Sequence, residues 1–262
     1  MESGFETDTF EPHPFLWNGH LQTIVPSYIK RPYPQDWNDS RERIYSLSDG
    51  SAVSCRYLVR DSSAPTLFIL HGMAGSNRSR YVRGLVEKTR LLGWNFVGPS
   101  LYDVSSKHKP TVFHSGCSRL VSEVLHQAHQ DMNLGRVYLA GVSMGGNILL
   151  KMIGEWGDEP PAWVRGAAAI SPLTDLVGSC RKLDRPACFI YRKRFVRNLQ
   201  DTMLRDAVRY QNYLDSARVM KARSIREFDQ AFTVPLSGFA SPDEYYQTQG
   251  AQDHLASIRI PA

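Results

Sequence analysis

A serine flanked by glycines, in the pattern G-x-S-x-G at residues 141–145, constrains this 262-residue chain more than any other feature. The apolar run just before it, residues 136–140, predicts a buried strand. Residues 146–153 after it are rich in straight-chain apolar side chains and predict a helix. A sharp turn between strand and helix needs flanking residues without a Cβ atom, which Gly141 and Gly145 supply. We therefore expect Ser143 at the tip of the turn, as a nucleophile, rather than in a turn that is merely built from small residues.

A second glycine motif follows an earlier apolar run. Residues 66–70 predict another buried strand, and residues 71–76 continue with the pattern H-G-x-x-G. A loop of this kind after an early strand supplies backbone N–H groups to a developing oxyanion. We expect the N–H groups of Met73 and Met144 to form such an oxyanion hole. His71 is a candidate base, but its position in this loop, before the nucleophile, favours a role in bracing the loop.

The composition, with 42% hydrophobic and 22% charged residues, is typical of a globular protein. No apolar run approaches the roughly 18 residues of a membrane span, and the acidic residues 1–10 do not form a secretory signal. The four cysteines contain no C-x-x-C pair, which argues against zinc or disulfides and favours a cytoplasmic location (Cys55, Cys117, Cys180, Cys188). No G-x-G-x-x-G motif and no Gly-Lys pair is present, so we expect no nucleotide cofactor.

Charge is distributed unevenly along the chain. The net charge is +5, yet residues 181–226 carry thirteen Lys or Arg against four Asp, a local charge of +9. A basic block can face an acidic ligand or a membrane surface. The solvated face of amphipathic helices explains the same pattern and is the favoured interpretation. Peripheral contact of this region with a membrane stays open as an alternative.

The order of the predicted elements indicates the fold. Strand patterns alternate with helix patterns, which predicts right-handed crossovers and a largely parallel sheet. Residues 1–41 are rich in proline and aromatic residues and are predicted as an irregular wrapping segment, anchored by its rings. Four segments result: the wrapping segment 1–41, an α/β core 42–171, a mostly helical lid 172–257 inserted after strand six, and 258–262 as the start of strand seven. Strands are predicted at 43–47, 53–59, 66–70, 94–98, 136–140 and 164–170, and helices at 80–92, 117–132 and 146–153.

Together these motifs resemble the YheT-like family of α/β-hydrolases over almost the whole chain. The similarity lies in G-H-L-Q-T-I at 19–24 with Pro26, the loop and first helix at 70–86, H-S-G at 114–116, the turn at 141–147, and the lid segments 224–229 and 245–246. The resemblance implies an α/β-hydrolase fold, with a mostly parallel sheet, helices on both faces and a lid. It also implies a lipase-like serine esterase (a carboxylesterase) that cleaves short-chain or lipid-like acyl esters with a Ser-Asp-His triad. No metal, organic cofactor or nucleic-acid partner is implied.

In this family the triad Asp follows strand seven and the triad His follows strand eight, positions that both fall beyond Ala262. We therefore expect a chain truncated before these residues, with its last two strands missing. An internal triad of Ser143, Asp175 and His254 is disfavoured, because His254 lies in the predicted lid. Residues 99–103 depart from the family's Asn-Arg-Gly or Phe-Arg-Gly turn, which leaves substrate preference open.

Three alternatives stay open on the residues alone. If the chain ends naturally at Ala262, it is a non-catalytic protein that binds acyl ligands or acts as a scaffold. The same nucleophile would also serve an acyltransferase. His126 and His129, three residues apart on one predicted helix, could share a metal, although exposed polar helix positions are favoured because no carboxylate stands at a suitable spacing.

Overall fold

A computed structural model describes residues 9–29, 39–101, 113–205, 210 and 214–262. The chain divides into two compact units, residues 1–34 and 35–262. In the first unit a 3₁₀ turn at Pro14–Leu16 precedes helix α1, Gly19–Tyr28. The prediction of an irregular segment is wrong here, because Asn18 caps the helix by accepting a hydrogen bond from the Leu21 N–H at 2.9 Å. That this segment wraps the rest of the chain stays a prediction.

The second unit contains a six-stranded sheet in the order β1-β2-β4-β3-β5-β6. The first three of these strands pair antiparallel, and β4, β3, β5 and β6 pair parallel. The largely parallel sheet and the preceding hairpin are therefore confirmed, with strand ends within two residues of the predicted ones. The strands are β1 Arg41–Ser46, β2 Ala52–Leu58, β3 Thr66–Leu70, β4 Asn95–Ser100, β5 Val137–Val142 and β6 Val164–Ile170.

Three helices cover the two faces of this sheet: α2 Arg80–Leu91, α3 Ser118–Met132 and α4 Met144–Glu155. On one face Ile69 packs with Val82 and Val86 of α2. On the other face Phe68 and Leu70 share a core cluster with buried residues of α3 and α4. Successive strand residues point to opposite faces, so this alternation along β3 places helices on both sides of the sheet, as predicted.

The described residues between 172 and 257 are mostly helical, as predicted for the lid. Four of the helices begin at a side chain that accepts a backbone N–H: Asp175, Asp215, Ser224 and Ser241. The lid has its own apolar cluster, which includes Val196, Leu199, Met203, Phe228 and Phe232. The helices are α5 Leu176–Leu183, α6 Phe189–Arg205, α7 Ser216–Met220, α8 Ile225–Ala231, α9 Thr233–Ser237 and α10 Pro242–Gln249, with 3₁₀ turns at Pro186–Cys188 and Gln252–Ser257.

Residues 258–262 form no strand, although the Ala167 N–H of β6 donates to the Pro261 carbonyl at 2.8 Å. The start of a seventh strand, and the segment boundaries generally, stay predictions. Residues 99–103 differ from the turn expected for the family, and residues 102 and 103 of this segment lie outside the described residues. Within the described ranges, no helix combines the length and the apolar character that crossing a membrane requires.

Candidate active site

The predicted turn at 141–145 joins β5 directly to α4. Ser143 lies between them with φ +55° and ψ −118°, a positive-φ conformation that a non-glycine residue rarely adopts. Its N–H donates to the Ile170 carbonyl of β6 at 2.9 Å, and its carbonyl accepts from the Asn147 N–H at 3.1 Å. Ser143 is therefore held at the N-terminus of α4, where the helix dipole favours negative charge.

The two flanking glycines are required by close backbone contacts. A Cβ on Gly141 would lie 2.5 Å from the Gly145 carbonyl oxygen, and a Cβ on Gly145 would lie 2.5 Å from the His71 carbonyl oxygen. Both distances are far below van der Waals contact. The glycines thus allow α4 to begin directly against the end of β3. As expected from the sequence, both positions need a residue without a Cβ atom.

The loop after β3 lies beside Ser143. A Cβ on Gly72 would be 3.2 Å from the Ser143 Cβ. Met73 is therefore the next residue after the point where the loop comes close to Ser143. The loop is fixed by two hydrogen bonds: the Gly72 N–H donates to the Tyr81 hydroxyl at 2.8 Å, and the Gly75 N–H donates to the Gly72 carbonyl at 3.0 Å. The residues expected to form the oxyanion hole, Met73 and Met144, therefore lie on the two elements that border Ser143.

His71 is fully buried and braces this loop. Its Nε2 accepts from the Leu101 N–H at 2.9 Å, so its Nδ1 carries the proton and donates to the Gly72 carbonyl at 2.8 Å. Burial lowers the pKa of His71 to about 4, partly offset by the bond to Gly72. With both ring nitrogens engaged, His71 is a structural residue of the loop and not a base for Ser143.

Asn147, one turn into α4, connects three separate parts of the chain. Its Nδ2 donates to the Ser115 carbonyl at 2.8 Å and to the Gln249 carbonyl at 3.0 Å, while its Oδ1 accepts from the Ala251 N–H at 2.8 Å. Asn147 is fully buried. It therefore ties the loop before α3 and the end of the lid to the helix that follows the nucleophile.

A cavity with a volume of about 80 Å³ lies between the α/β core and the lid. Met73 and Met144 line it from the core, whereas Ser143 itself is not among the lining residues. His114 also lines it, and burial and the charge of Lys151 lower the pKa of His114 to about 4. Most of the other lining side chains are apolar or aromatic, as in sites that hold a hydrocarbon group, including Phe113, Leu176, Leu199, Met203, Phe228 and Phe232.

One buried carboxylate stands in the lid wall of this cavity. Asp229 of α8 accepts from the Thr233 hydroxyl at 2.5 Å and from the Tyr246 hydroxyl at 2.6 Å. Burial raises the pKa of Asp229 to about 6, while the two hydrogen bonds act in the opposite direction. Burial also raises the pKa of the neighbouring Cys180 thiol to about 11. Asp229 therefore joins α8, α9 and α10 at the cavity wall.

The internal triad considered from the sequence is not formed. The backbone and Cβ of His254 lie against Gly154, near the end of α4 that is farthest from Ser143. Asp175 is exposed and caps α5 by accepting from the Gly178 N–H at 2.8 Å. Among the described residues, none makes a hydrogen bond with the Ser143 hydroxyl. The predicted triad Asp and His, beyond Ala262, stay predictions.

The two histidines of α3 that were considered as metal ligands, His126 and His129, pack against Trp163. The His129 ring stacks on Trp163 with centroids 3.9 Å apart, and the His126 ring meets the same indole edge-on at 5.3 Å. Both rings thus pack against an aromatic side chain. Across the described ranges, no group of three or more metal-ligating side chains comes together.

A family described as the alpha/beta hydrolase fold matches residues 79–235, which is more than half of the chain. The chain belongs to this family. The predicted fold class is therefore confirmed, and the region matched includes the turn at Ser143 and most of the lid. A solved structure has the same fold: the match with the Pyrococcus furiosus esterase Pf2001 covers 89% of this chain and 72% of that one, with a TM-score of 0.51 and 16% identity, a likeness of fold alone.

Sequence relatives extend over nearly the whole chain. Human phospholipase ABHD3 is 26% identical over 97% of this chain and 64% of its own length. The YheT protein of Escherichia coli is 27% identical over 93% of this chain and 72% of its own, which confirms the predicted resemblance. The chain thus spans about 64% of the length of the ABHD3 phospholipases that it matches.

Proposed function

We propose that this protein is a serine hydrolase that cleaves carboxylic esters of short-chain or lipid-like acyl groups through an acyl-enzyme on Ser143. The observation that carries the proposal is the positive φ of Ser143 at the start of α4, with Gly72 packed against it and Met73 and Met144 lining an apolar cavity. Relatives named as a phospholipase support an ester as the substrate. None of the four cysteines, all within the described residues, forms a disulfide, which supports the proposed cytoplasmic location.

In the proposed reaction the Ser143 Oγ attacks the ester carbonyl carbon, and a histidine base, predicted beyond Ala262, takes the hydroxyl proton. The carbonyl oxygen becomes an oxyanion that receives hydrogen bonds from the Met73 and Met144 N–H groups, each contributing about 3 kcal/mol. The C–O bond to the alcohol then breaks, and the alcohol leaves with the proton from the histidine. Water attacks the acyl-enzyme, the base takes its proton, and the carboxylic acid leaves as Ser143 is regenerated.

The cavity supports an acyl group as the ligand. Its walls are mainly hydrocarbon and aromatic, so they stabilise a chain by removing it from water. The lid supplies most of these walls, so the lid is expected to set acyl-chain length. We also propose that the basic lid approaches a membrane, which is where lipid-like esters are found.

Ester turnover by the protein from its natural source tests this proposal. Ser143→Ala is expected to lower turnover of p-nitrophenyl esters by roughly 10⁶-fold, because the nucleophile is lost. Ser237→Ala is the matched control, since its hydroxyl finds no hydrogen-bond partner among the described residues, and it should keep full activity. An added alcohol acceptor separates hydrolysis from acyl transfer through the product formed.

The alternative of a non-catalytic binding protein gives a different result. It predicts that fatty acids or esters raise the unfolding temperature while no turnover is detected at any chain length. Turnover that survives Ser143→Ala unchanged contradicts the proposed mechanism altogether.

A further inference from the structure

The outer end of the lid presents apolar side chains to solvent. Phe189 is 53% exposed and Ile190 is 68% exposed, at the first turn of α6. The 3₁₀ turn Pro186–Cys188 leads into this helix, and its Pro186 and Ala187 are exposed as well. Single exposed apolar residues are ordinary on protein surfaces, but four within five positions form a small apolar tip.

Basic side chains surround this apolar tip. Lys193, Arg194 and Arg197 are exposed on α6, and Arg185 is exposed just before the turn. At 3.6 residues per helical turn, positions 189, 190, 193, 194 and 197 fall within an arc of about 140°. Phe189, Ile190 and the three basic residues of α6 therefore share one outward face, and Asp201, the only acidic residue of α6, lies near its far end.

Arg192 contacts both the apolar tip and Asp184. The Arg192 guanidinium lies 5.7 Å from the centroid of the Phe189 ring and donates to the Asp184 carbonyl at 2.7 Å. An Arg192 nitrogen is also 3.8 Å from the Asp184 carboxylate. The Asp184 carboxylate is thus turned toward Arg192, which lies outside the 140° arc of the outward face.

The opposite face of α6 borders the cavity. Leu199, Thr202 and Met203 line the cavity, and Val196, Leu199 and Met203 belong to the lid's apolar cluster. One helix therefore separates the cavity from the basic, apolar outer face. A surface that engages the outer face would lie directly over the wall of the cavity.

We propose that the outward face of α6 docks on an anionic lipid membrane. Phe189 and Ile190 enter the boundary between head groups and acyl chains, and Arg185, Lys193, Arg194 and Arg197 pair with lipid phosphates and carboxylates. A soluble polyanion would use the positive charge but gives no reason for the exposed Phe189 and Ile190. This inference rests on the proposed function for its consequence, which is that the esters cleaved are lipids of that membrane.

The experiment measures co-sedimentation with phosphatidylcholine vesicles that contain or lack phosphatidylserine. The Ser143→Ala variant is used throughout, so that no lipid is consumed. Binding is expected only with phosphatidylserine, and it should weaken as salt is raised. The double variant Phe189→Ser/Ile190→Ser should bind at least tenfold more weakly, because its apolar insertion is lost.

Matched controls distinguish binding through this face from nonspecific adsorption to vesicles. Leu91→Ser/Leu92→Ser removes an apolar pair of similar exposure, 62% and 66%, from the end of α2 and should leave binding unchanged. Arg194→Ala/Arg197→Ala should weaken binding by about fivefold per residue, whereas Arg218→Ala/Lys221→Ala on α7 and just after it should have a smaller effect. Circular dichroism confirms that each variant is folded.

Four results would overturn the proposal. The first is equal binding to vesicles with and without phosphatidylserine, and the second is an equal loss of vesicle binding in the control variants. The third is binding of double-stranded DNA that is as tight as vesicle binding and unchanged by Phe189→Ser/Ile190→Ser. The fourth is a protein dimer that Phe189→Ser/Ile190→Ser dissociates. With active protein, Phe189→Ser/Ile190→Ser should keep turnover of soluble esters. Absent vesicle binding with intact turnover contradicts this inference and the proposed approach of the lid to a membrane, but not the ester hydrolysis. Intact binding without serine-dependent turnover contradicts only the proposed hydrolysis.

Discussion

The α/β core and the lid bury their side chains to different extents. Among the described residues, the twelve largest fully buried side chains include eleven from the core and one, Met203, from the lid. The lid instead begins four of its helices with capping side chains and places a carboxylate, Asp229, inside. The core is thus held mainly by close apolar packing, and the lid by caps and polar links around a smaller apolar cluster.

This difference assigns different tasks to the two regions. A nucleophile needs a position fixed within a fraction of an ångström, which close packing around Ser143 and Gly145 provides. A cavity wall that admits acyl chains must rearrange more easily, and helices joined by a few hydrogen bonds can do so. We therefore expect substitutions in the core to act on folding and chemistry, and substitutions in the lid to act on pH response and substrate range.

The largest effect is expected for Gly145→Ala in the core. The added Cβ would meet the carbonyl oxygens of His71 at 2.5 Å and Leu70 at 2.7 Å, backbone atoms that cannot move without distorting β3. We expect a loss of at least ~3 kcal/mol in the free energy of unfolding, or no folded protein. Urea unfolding, followed by circular dichroism, measures it.

Two glycines serve as controls for that substitution. Gly84 in α2 has open space around its Cβ position, so Gly84→Ala should stabilise by ~0.5–1 kcal/mol. Gly238 ends α9 in the lid with φ +77° and no close neighbour, so Gly238→Ala should cost about 1–2 kcal/mol of strain. If Gly145→Ala cost no more than Gly238→Ala, the contrast between core and lid would be wrong.

Next in size is the effect of His71→Gln, also in the core. The folded pKa of His71 is about 4 against an ordinary 6.5, so the unfolded chain binds the proton first as pH falls. The stability this group contributes is full above pH 6.5 and is lost as pH falls toward 4. The variant should remove that part of the pH dependence, and at neutral pH it should lose ~1–3 kcal/mol for each buried bond it fails to replace. If the free energy of unfolding of the variant changes with pH between 4 and 6.5 as steeply as that of the parent protein, the lowered pKa assigned to His71 is wrong.

The lid is expected to respond to pH in the opposite direction. The folded pKa of Asp229 is about 6 against an ordinary 3.8, so the stability it contributes is full below pH 3.8 and is lost as pH rises through 6. Asp229→Asn should abolish this fall, which amounts to ~1.4 kcal/mol per pKa unit. Urea unfolding at several pH values, followed by circular dichroism, measures the free energy of unfolding. A variant that loses stability equally at every pH would show that Asp229 acts only by packing.

The smallest effect is expected for the ion pair between Arg226 and Asp243 on the lid surface. The guanidinium donates two bonds to the carboxylate, at 2.5 and 2.6 Å, and lowers the pKa of Asp243. Both side chains are largely exposed, so water and salt screen the pair. A double-mutant cycle with Arg226→Ala and Asp243→Ala should give a coupling energy below every effect above, and one that disappears in high salt. A coupling that persists in high salt would mean that the lid relies on surface charge.

Local patterns predict the core well. The strands predicted at 66–70 and 164–170 match β3 and β6 at both ends, and the glycine spacing places Ser143 at the strand–helix turn. Helix α1 is missed because the prolines and aromatic residues around it mask the capping signal of Asn18. The pattern Ser-x-x-Glu at 224–227 and 241–244 could have located the starts of α8 and α10.

Contacts between distant residues could not be predicted in the same way. Asn147 meets residues 32 and 104 positions away, and Asp229 meets Tyr246 across 17 positions. Nothing in the local sequence distinguishes this Asn or this Asp from others on a helix. Their roles depend on how the lid returns to the core, which the chain order alone does not determine.

Covalent labelling of the protein from its natural source with a fluorophosphonate tests the central claim most directly. Such a probe phosphonylates a serine only when that serine is activated as a nucleophile. We predict one equivalent of label, located by peptide mass spectrometry at Ser143, absent in Ser143→Ala and present in Ser237→Ala. Native, folded protein that takes up no label, or label that remains after Ser143→Ala, would contradict the assignment of Ser143 as the nucleophile.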